Sequence, residues 1–298
     1  MFGQKLLVFS AMLIGAQCRY VYPEVEYSPE DVVYVPAHYA RVRRQAHGSL
    51  TVNSDGTSGA AIKVPIAGND KNILSAIGSA DLTKSQHLAS SSFGLALDNV
   101  NGHGATLTKT SIPGFGDQVS AAGKVNLFHN DNHDLNAKAF ATRNMPNLPQ
   151  VPNFDTVGAG VNYMFNNGHG ATLTKTSIPG FGDQVSAAGK VNLFHNDNHD
   201  LNAKAFATRN MPNLPQVPNF DTVGAGVNYM FKDKIGASAS AAHTDFINRN
   251  DYSLGSTLNL FKDRDTSLDF NAGVKKFETP FVKSGWEPNF GFSFSKYF

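Results

Sequence analysis

Apolar and polar residues alternate along most of this chain, so that apolar side chains occupy every second position. In the segment VGAGVNYMF, one face would carry Val157, Ala159, Val161, Tyr163 and Phe165. The residues between them are glycine, asparagine and methionine. Successive side chains leave a strand on opposite faces, and a period of two therefore predicts strands. The pattern predicts an all-β chain.

Segments rich in turn-forming residues separate the alternating runs. Asp55-Gly56 and Asn101-Gly102 each lie between two runs, and such pairs suit tight hairpin turns. Later runs are separated by Lys232-Asp233-Lys234 and by residues 262–265. Many strands of about ten residues joined by short turns predict a glycine-rich antiparallel meander or barrel-like sheet of hairpins. Residues 70–82 (DKNILSAIGSADL) are the best candidate for a short helix.

One long block occurs twice. It runs from Asn101 to Phe165 and again, letter for letter, from Asn167 to Phe231. We predict four strands in each block, in the first copy at roughly 104–110, 118–128, 135–143 and 156–165. Because an even number of strands returns the chain to its starting direction, an antiparallel sheet could accept the second copy without reversing the strands that follow.

The first residues have the features of a secretory signal. A lysine precedes an apolar run, and small residues lead up to Cys18. This pattern predicts a signal peptide over residues 1–18, cleaved between Cys18 and Arg19. The apolar run is shorter than the roughly 20 residues of a spanning helix. No later segment is long and apolar enough to span a membrane as a helix.

Residues 19–44 predict a propeptide. The segment is acidic, rich in Tyr, Val and Pro, and ends in a basic tetrad formed by Arg41, Val42, Arg43 and Arg44. Spaced arginines in an exposed Pro-rich segment suit the acidic pocket of a proprotein convertase. The mature chain would then begin at Gln45.

Processing would remove the only cysteine of the chain. A mature chain without cysteine is not a disulfide scaffold and has no thiol chemistry. Glycine-rich strands lose much conformational entropy on folding. The sequence is therefore also compatible with a chain that is partly disordered in water.

The charge balance disfavours several function classes. The whole chain has 25 basic and 24 acidic residues. Residues 1–44 contain five of the basic and four of the acidic ones, which leaves 20 of each in the mature chain. No basic patch or cationic amphipathic helix is present in the sequence. Nucleic-acid binding and purely charge-driven membrane lysis are disfavoured.

One histidine motif deserves a test as a metal site. His129, His133 and Asp134 lie close in sequence, and the motif recurs at His195–Asp200. On a helix, histidines four apart would share a face and suit zinc. The Asn- and Asp-rich context predicts a turn instead, which favours a solvated hairpin loop over a weak metal site. No catalytic motif is present, and we predict neither an enzyme nor a cofactor.

The strands resemble those of bacterial outer-membrane barrels, including the aromatic C-terminal residue. Such barrels present a continuous apolar band to lipid, bordered by aromatic girdles. Here alanine and glycine dominate several faces. This composition favours a secreted glycine-rich sheet protein over a membrane-spanning barrel.

Long segments of the chain resemble insect attacins, especially those of moths. They include RVRR followed by QAHGSLTVNSDGTSG, then PGFGDQVSAAGKVNLFHNDNHDLNAKAF, NMPNLPQVPNFDTVGAGVNYMF and the closing WEPNFGFSFSKYF. The resemblance covers essentially the whole chain; the duplicated block is the departure. It implies an N-terminal attacin domain over 45–100, followed by a glycine-rich region with the duplicated block over 101–231 and a C-terminal glycine-rich β region over 232–298. It implies secretion into haemolymph and activity chiefly against Gram-negative bacteria. It also implies action at the outer membrane, through lipopolysaccharide and interference with outer-membrane protein production.

Two mechanisms and two alternatives follow for the expected function. Glycine-rich edge strands and exposed aromatic residues could bind lipopolysaccharide, or an open sheet edge could pair with nascent outer-membrane strands. The alternatives are a secreted β-barrel that carries a small apolar ligand and a structural extracellular protein.

Overall fold

The computed structural model describes residues 46–165 and 167–297, which form one antiparallel sheet of 16 strands. The only other regular element among them is a short 3₁₀ helix, Asp245–Ile247. The strands are β1 His47–Asn53, β2 Ser58–Gly68, β3 Asn72–Leu82, β4 Leu88–Asn99, β5 Gly104–Ile112, β6 Gly116–His129, β7 His133–Pro146, β8 Phe154–Phe165, β9 Gly170–Ile178, β10 Gly182–His195, β11 His199–Pro212, β12 Phe220–Phe231, β13 Ile235–Thr244, β14 Arg249–Lys262, β15 Thr266–Glu278 and β16 Glu287–Tyr297.

The sheet closes on itself. Each strand pairs antiparallel with the next strand in the chain, and β1 completes the ring by pairing with β16 from His47↔Tyr297 to Asn53↔Gly291. Closure leaves no strand with unpaired backbone groups along a free edge. The prediction of an all-β, barrel-like sheet of hairpins is confirmed.

The predicted short helix at residues 70–82 is wrong. Asn72–Leu82 is strand β3, which pairs along its length with β2 and β4. In the closed sheet, its odd-numbered positions from Ile73 to Asp81 share one face. The segment's apolar residues fit either period, and two flanking hairpins select the extended form because they satisfy its backbone hydrogen bonds.

The two ends of the barrel differ in their connections. The longest ones, 147–153, 213–219 and 279–286, all lie at one end, which we call the loop end. The opposite end, the turn end, carries tight turns, including the predicted one at Asn101-Gly102. Gly102 there has a φ of +81°, a conformation that favours glycine.

The predicted Asp55-Gly56 turn also forms. The hydroxyl and amide groups of Thr57 donate to Asp55 Oδ1 at 2.6 and 2.9 Å. The side-chain bond first, and the backbone bond second, hold the pKa of this carboxyl below its ordinary value. The turn is thus fixed by local hydrogen bonds.

The two copies of the repeated block each form four strands, as predicted. The first copy forms β5–β8 and the second forms β9–β12. The pairing of β6 with β7 matches that of β10 with β11 residue for residue, including a bulge at Asn126/Phe128 and at Asn192/Phe194. The strands after the second copy continue the same antiparallel order.

The described residues do not pack around a central apolar core. Only Ile73, Ala96 and Phe220 are buried hydrophobic residues in this part of the chain. Contacts between strands are essentially confined to neighbours in the sheet, so the opposite walls stay apart. Hydrogen bonds between neighbouring strands therefore hold the fold together, and most of its apolar surface stays exposed rather than buried in a core.

Candidate functional surface

Strand register determines which side chains point out of the barrel. Residues paired across neighbouring strands share a face, as Leu95 does with Leu107. Phe93, on the same face, is 67% exposed, whereas Ser75 and Thr156 on the opposite face are 0% and 2% exposed. A closed sheet spreads side chains on its convex outer side and crowds those on its concave inner side. The apolar face therefore points outward and the polar face inward.

Exposed apolar side chains on the outward face form a band around the barrel. We call it the outer band, and most strands contribute to it. Its members include Leu50, Val52, Ile62, Val64, Ile66, Phe93, Leu95, Leu97, Leu107, Val125, Leu127, Val157, Val161, Leu173, Val191, Leu193, Val223, Val227, Leu254, Leu258, Phe290 and Phe292.

Glycine lies mainly on the inward face. Gly158 and Gly160 of β8 pair with the inward residues Phe140 and Lys138 of β7. An added Cβ at Gly158 would lie 2.4 Å from a ring carbon of Phe140, so the glycine makes room for that ring. The glycine and alanine content of the sequence favoured a secreted sheet protein over a membrane-spanning barrel. The register shows that these glycines do not dilute the outer band.

Outward ion pairs border the outer band at the loop end. Lys109 Nζ lies 2.9 Å from Asp117 Oδ2, and the second copy repeats the pair with Lys175 and Asp183 at 3.1 Å. We call these pairs, together with Arg143–Asp155 and Arg209–Asp221, the charged girdle. The girdle was not predicted from the sequence, because each pair joins residues on different strands and depends on the strand register.

Aromatic side chains border the outer band at the turn end. His133 packs against Tyr163 and Phe165, with ring centroids 5.8 and 5.2 Å away, and the Tyr163 hydroxyl lies 2.7 Å from His133 Nδ1. The second copy forms the same cluster from His199, Tyr229 and Phe231. We call the two clusters the aromatic girdle.

The inward face is polar. Ser120 and Thr142 share a 2.8 Å hydrogen bond across β6 and β7, and Gln118 Nε2 donates to Asn144 Oδ1 at 2.9 Å. The second copy repeats both contacts. Lysines also face inward, among them the cross-strand neighbours Lys124 and Lys138. Such a lining is better suited to water than to an apolar molecule.

The predicted hairpin loop of the histidine motif is confirmed. Asn130 Oδ1 accepts hydrogen bonds from the backbone amides of Asn132 and His133, which closes the turn between β6 and β7. His129 lies 3.6 Å from Asp134, whereas His133 belongs to the aromatic girdle. No group of three potential metal ligands occurs in residues 46–165 and 167–297.

The predicted processing residues lie outside the described part of the chain. They are Cys18, Arg19, Arg41, Arg43, Arg44 and Gln45. Signal cleavage and convertase processing therefore stay predictions. Within the described residues, no helix is long and apolar enough to cross a membrane.

Family models match most of the chain. The attacin N-terminal region matches residues 46–111, and the attacin C-terminal region matches twice, over 113–191 and 179–298. Attacin-E of Hyalophora cecropia is 52% identical, with full coverage of both chains. The chain belongs to the attacin family. Attacins are secreted antibacterial defence proteins and are not known as enzymes.

Other attacins and a defence protein support this assignment. Defense protein 3 of Lonomia obliqua is 50% identical, with full coverage of both chains. Attacin of Bombyx mori is 52% identical, covering 87% of this chain and 90% of its own.

Solved structures resemble this attacin in fold. A bacterial polysaccharide outer membrane secretin matches 85% of this chain and 97% of its own, with a TM-score of 0.54 and 12% identity. CdiB from Acinetobacter baumannii matches 86% of this chain and 60% of its own, with a TM-score of 0.55 and 11% identity. At these identities the likeness shows the fold alone.

Proposed function

We propose that this attacin acts mainly on Gram-negative bacteria at their outer membrane, through lipopolysaccharide binding and interference with outer-membrane proteins. The observation that carries the proposal is the outer band, an exposed apolar surface to which most strands of a closed barrel contribute. Exposed apolar surface of this extent marks an interaction site. The hydrocarbon core of the outer membrane is an apolar phase that would cover such a surface.

The charged girdle supports lipopolysaccharide as the ligand. This amphiphile carries acyl chains next to phosphorylated sugars. With its acyl chains on the outer band, its phosphates would lie beside the cations of the girdle, including Lys109 and Arg143. Their side chains are 45% and 60% exposed. An exposed cation can exchange its carboxylate partner for a phosphate at little cost, because surface ion pairs are weak.

Strand addition is the less supported route to interference with outer-membrane proteins. It needs a free sheet edge, and the described residues close into a ring without one. Such pairing would require β1 and β16 to separate. Their contact spans only the seven residues of β1, which makes it one of the shorter seams of the barrel.

The carrier alternative gains no support from the inward face. A carrier of a small apolar ligand would line its cavity with apolar side chains. The buried polar residues here are mainly Ser, Thr and Asn, including Ser75, Asn136 and Thr156.

Growth inhibition tests the proposal directly. Protein purified from the medium of cells expressing the full chain is added to Gram-negative cultures, with and without an excess of purified lipopolysaccharide. We expect inhibition that lipopolysaccharide relieves. Equal inhibition in both arms would contradict the lipopolysaccharide step, and absence of inhibition would contradict the function.

We also propose cleavage of the signal peptide between Cys18 and Arg19 and convertase cleavage after Arg44, so that Gln45 begins the mature chain. The match to the attacin N-terminal region begins at residue 46, which supports a boundary here. The variant Arg44→Ala should be secreted as a longer protein by mass spectrometry. An unchanged secreted mass would contradict this maturation step.

A further inference from the structure

We propose that this barrel inserts into a lipid bilayer and spans it as a water-filled channel, with the outer band facing the acyl chains. The inference deepens the proposed function, and it rests on that function only for the choice of the bacterial outer membrane. It adds a membrane-embedded state and a conducting lumen.

The outer band surrounds the barrel, and this arrangement identifies what covers the band. Leu50, Leu107, Leu173 and Ile235 lie on β1, β5, β9 and β13, at quarter intervals around the ring. They are 47%, 53%, 51% and 53% exposed. A partner protein would cover one side of a barrel and leave the others in water. Only a surrounding lipid phase covers all four positions together.

The height of the outer band fits a thin bilayer. On β8 the outer band and the adjoining aromatic girdle together extend from Val157 to Phe165. These eight residue steps correspond to a height of roughly 20 Å at a rise of ~3.3 Å per residue and a strand tilt of about 40°. Outer-membrane barrels carry an apolar band about 25 Å tall, and the bacterial outer membrane is thinner than average.

On strands β5–β12, both borders of the outer band have the chemistry of a membrane interface. The charged girdle follows the band at the loop end, where the ion pair of Lys175 and Asp183 is repeated from the first copy. The aromatic girdle follows it at the turn end, with Tyr163 and Tyr229 hydrogen-bonded to histidines. Amphipathic aromatic rings are enriched at the level of lipid headgroups.

The interior would supply the conducting path. Its lining is polar, and opposite walls do not touch beyond neighbouring strands in the described residues. Barrels with 16 strands are wide enough to leave an aqueous channel, whereas barrels of about eight are filled by their side chains. This barrel has 16 strands.

Vesicle leakage tests the channel. Secreted protein is added to vesicles of phosphatidylethanolamine and phosphatidylglycerol that enclose a small dye together with a large dextran. We expect the dye to escape and the dextran to be retained. Retention of both would overturn the inference, and release of both would show lysis and overturn it as well.

Paired substitutions in the two copies test the outer band. Val161 and Val227 lie mid-band on β8 and β12, and arginine on a lipid face opposes insertion. We expect Val161→Arg with Val227→Arg to lower dye release by about tenfold or more. The matched control, Gln150→Arg with Gln216→Arg, adds the same charge in the exposed loops and should release dye as the parent does. Equal release by both variants would overturn the lipid-facing assignment.

A fluorescent label tests the two faces without relying on destabilisation. The only natural cysteine, Cys18, lies in the predicted signal peptide, so an introduced cysteine gives a single labelling site. Val161→Cys places the dye outward, and Asn162→Cys places it inward on the same strand. We expect quenchers attached to lipid acyl chains to quench the outward dye at least threefold more. Equal quenching at both positions would overturn the inference.

These experiments separate the channel from the proposed function. The vesicles contain no lipopolysaccharide, so leakage supports the channel even where lipopolysaccharide fails to relieve growth inhibition. Conversely, growth inhibition that lipopolysaccharide relieves, without any release of dye from the vesicles, would support the proposed function and overturn the channel.

Discussion

The two copies of the repeated block have the same sequence but different neighbours, and their main differences lie where those neighbours change. Inside each copy most contacts agree: the backbone amide of Asn126 donates to His103 Nδ1 at 3.1 Å, and that of Asn192 donates to His169 Nδ1 at 3.0 Å. Local sequence therefore determines strands, turns and internal registers.

The copies diverge at their last strand. In the first copy β8 pairs with β9, which begins the second copy, whereas β12 pairs with the unrelated strand β13. Phe154 accordingly contacts Phe181 at 5.5 Å between ring centroids. Its equivalent Phe220 stacks at 5.1 Å on Phe246 of the 3₁₀ helix and becomes buried. Position in the ring, rather than sequence, selects these partners.

The largest effect that would test this comparison comes from removing strands in even or odd numbers. Deleting residues 101–166 removes the four strands β5–β8 and leaves an even number, so we expect a smaller closed barrel. Deleting residues 101–115 removes β5 alone and would leave β4 and β6 unable to pair antiparallel. Circular dichroism and vesicle leakage should show a folded, narrower channel for the first deletion and loss of both signals for the second. Equal results for the two deletions would contradict the ring as the organising unit.

A smaller difference is expected at equivalent glycines beside the strand pairs in which the copies differ, β8–β9 and β12–β13. A Cβ at Gly160 would lie 2.5 Å from a Thr174 methyl and 2.8 Å from the Leu173 carbonyl oxygen. At Gly226 the nearest atom would be the Ala239 carbonyl oxygen at 2.9 Å. Overpacking costs about 1–3 kcal/mol, so Gly160→Ala should lie near the top of that range and Gly226→Ala near the bottom.

Denaturant unfolding of the two glycine variants, in the same detergent micelles, measures this difference. Equal losses in the free energy of unfolding would show that the seam strands β9 and β13 do not distinguish the copies.

The next largest difference in the free energy of unfolding is expected between two equivalent threonines. Thr156 is buried, and its hydroxyl accepts a hydrogen bond from Asn144 Nδ2 at 3.2 Å. Its equivalent Thr222 is less buried, and its hydroxyl oxygen lies 3.1 Å from that of Thr244 on β13. Removing one partner of a buried hydrogen bond costs about 1–3 kcal/mol, and less where water can replace it. We expect Thr156→Val to lower the free energy of unfolding more than Thr222→Val does. The reverse order in denaturant titrations would show that the neighbouring strands β9 and β13 do not cause the difference between the copies.

The smallest effect is expected within the charged girdle, where the copies agree. The lysines of the pairs Lys109–Asp117 and Lys175–Asp183 are both well exposed. Exposed ion pairs contribute about 0–1 kcal/mol. Lys109→Met and Lys175→Met should therefore change the free energy of unfolding equally and by less than about 0.5 kcal/mol. A clear difference between the two variants in the free energy of unfolding would show that the strength of these ion pairs depends on their position in the ring.

Sequence by itself determined the strands and most of the turns. The period of two in VGAGVNYMF and the Asn-Gly pair at Asn101-Gly102 act over a few residues, because side-chain alternation and backbone conformation are local properties. Attacin membership could also be inferred from sequence, because it rests on long matched segments.

Only the tertiary structure decided which face points outward, where the borders of the outer band lie, and that residues 72–82 form a strand. Each of these depends on contacts between segments distant in the chain. Strand β3 is extended because two hairpins pair with it. The glycines of β8 and β12 fall inward because closure of the ring, through β1 and β16, gives the sheet a concave side. Alternation divides a strand into two faces, but only closure determines which of them meets the surroundings.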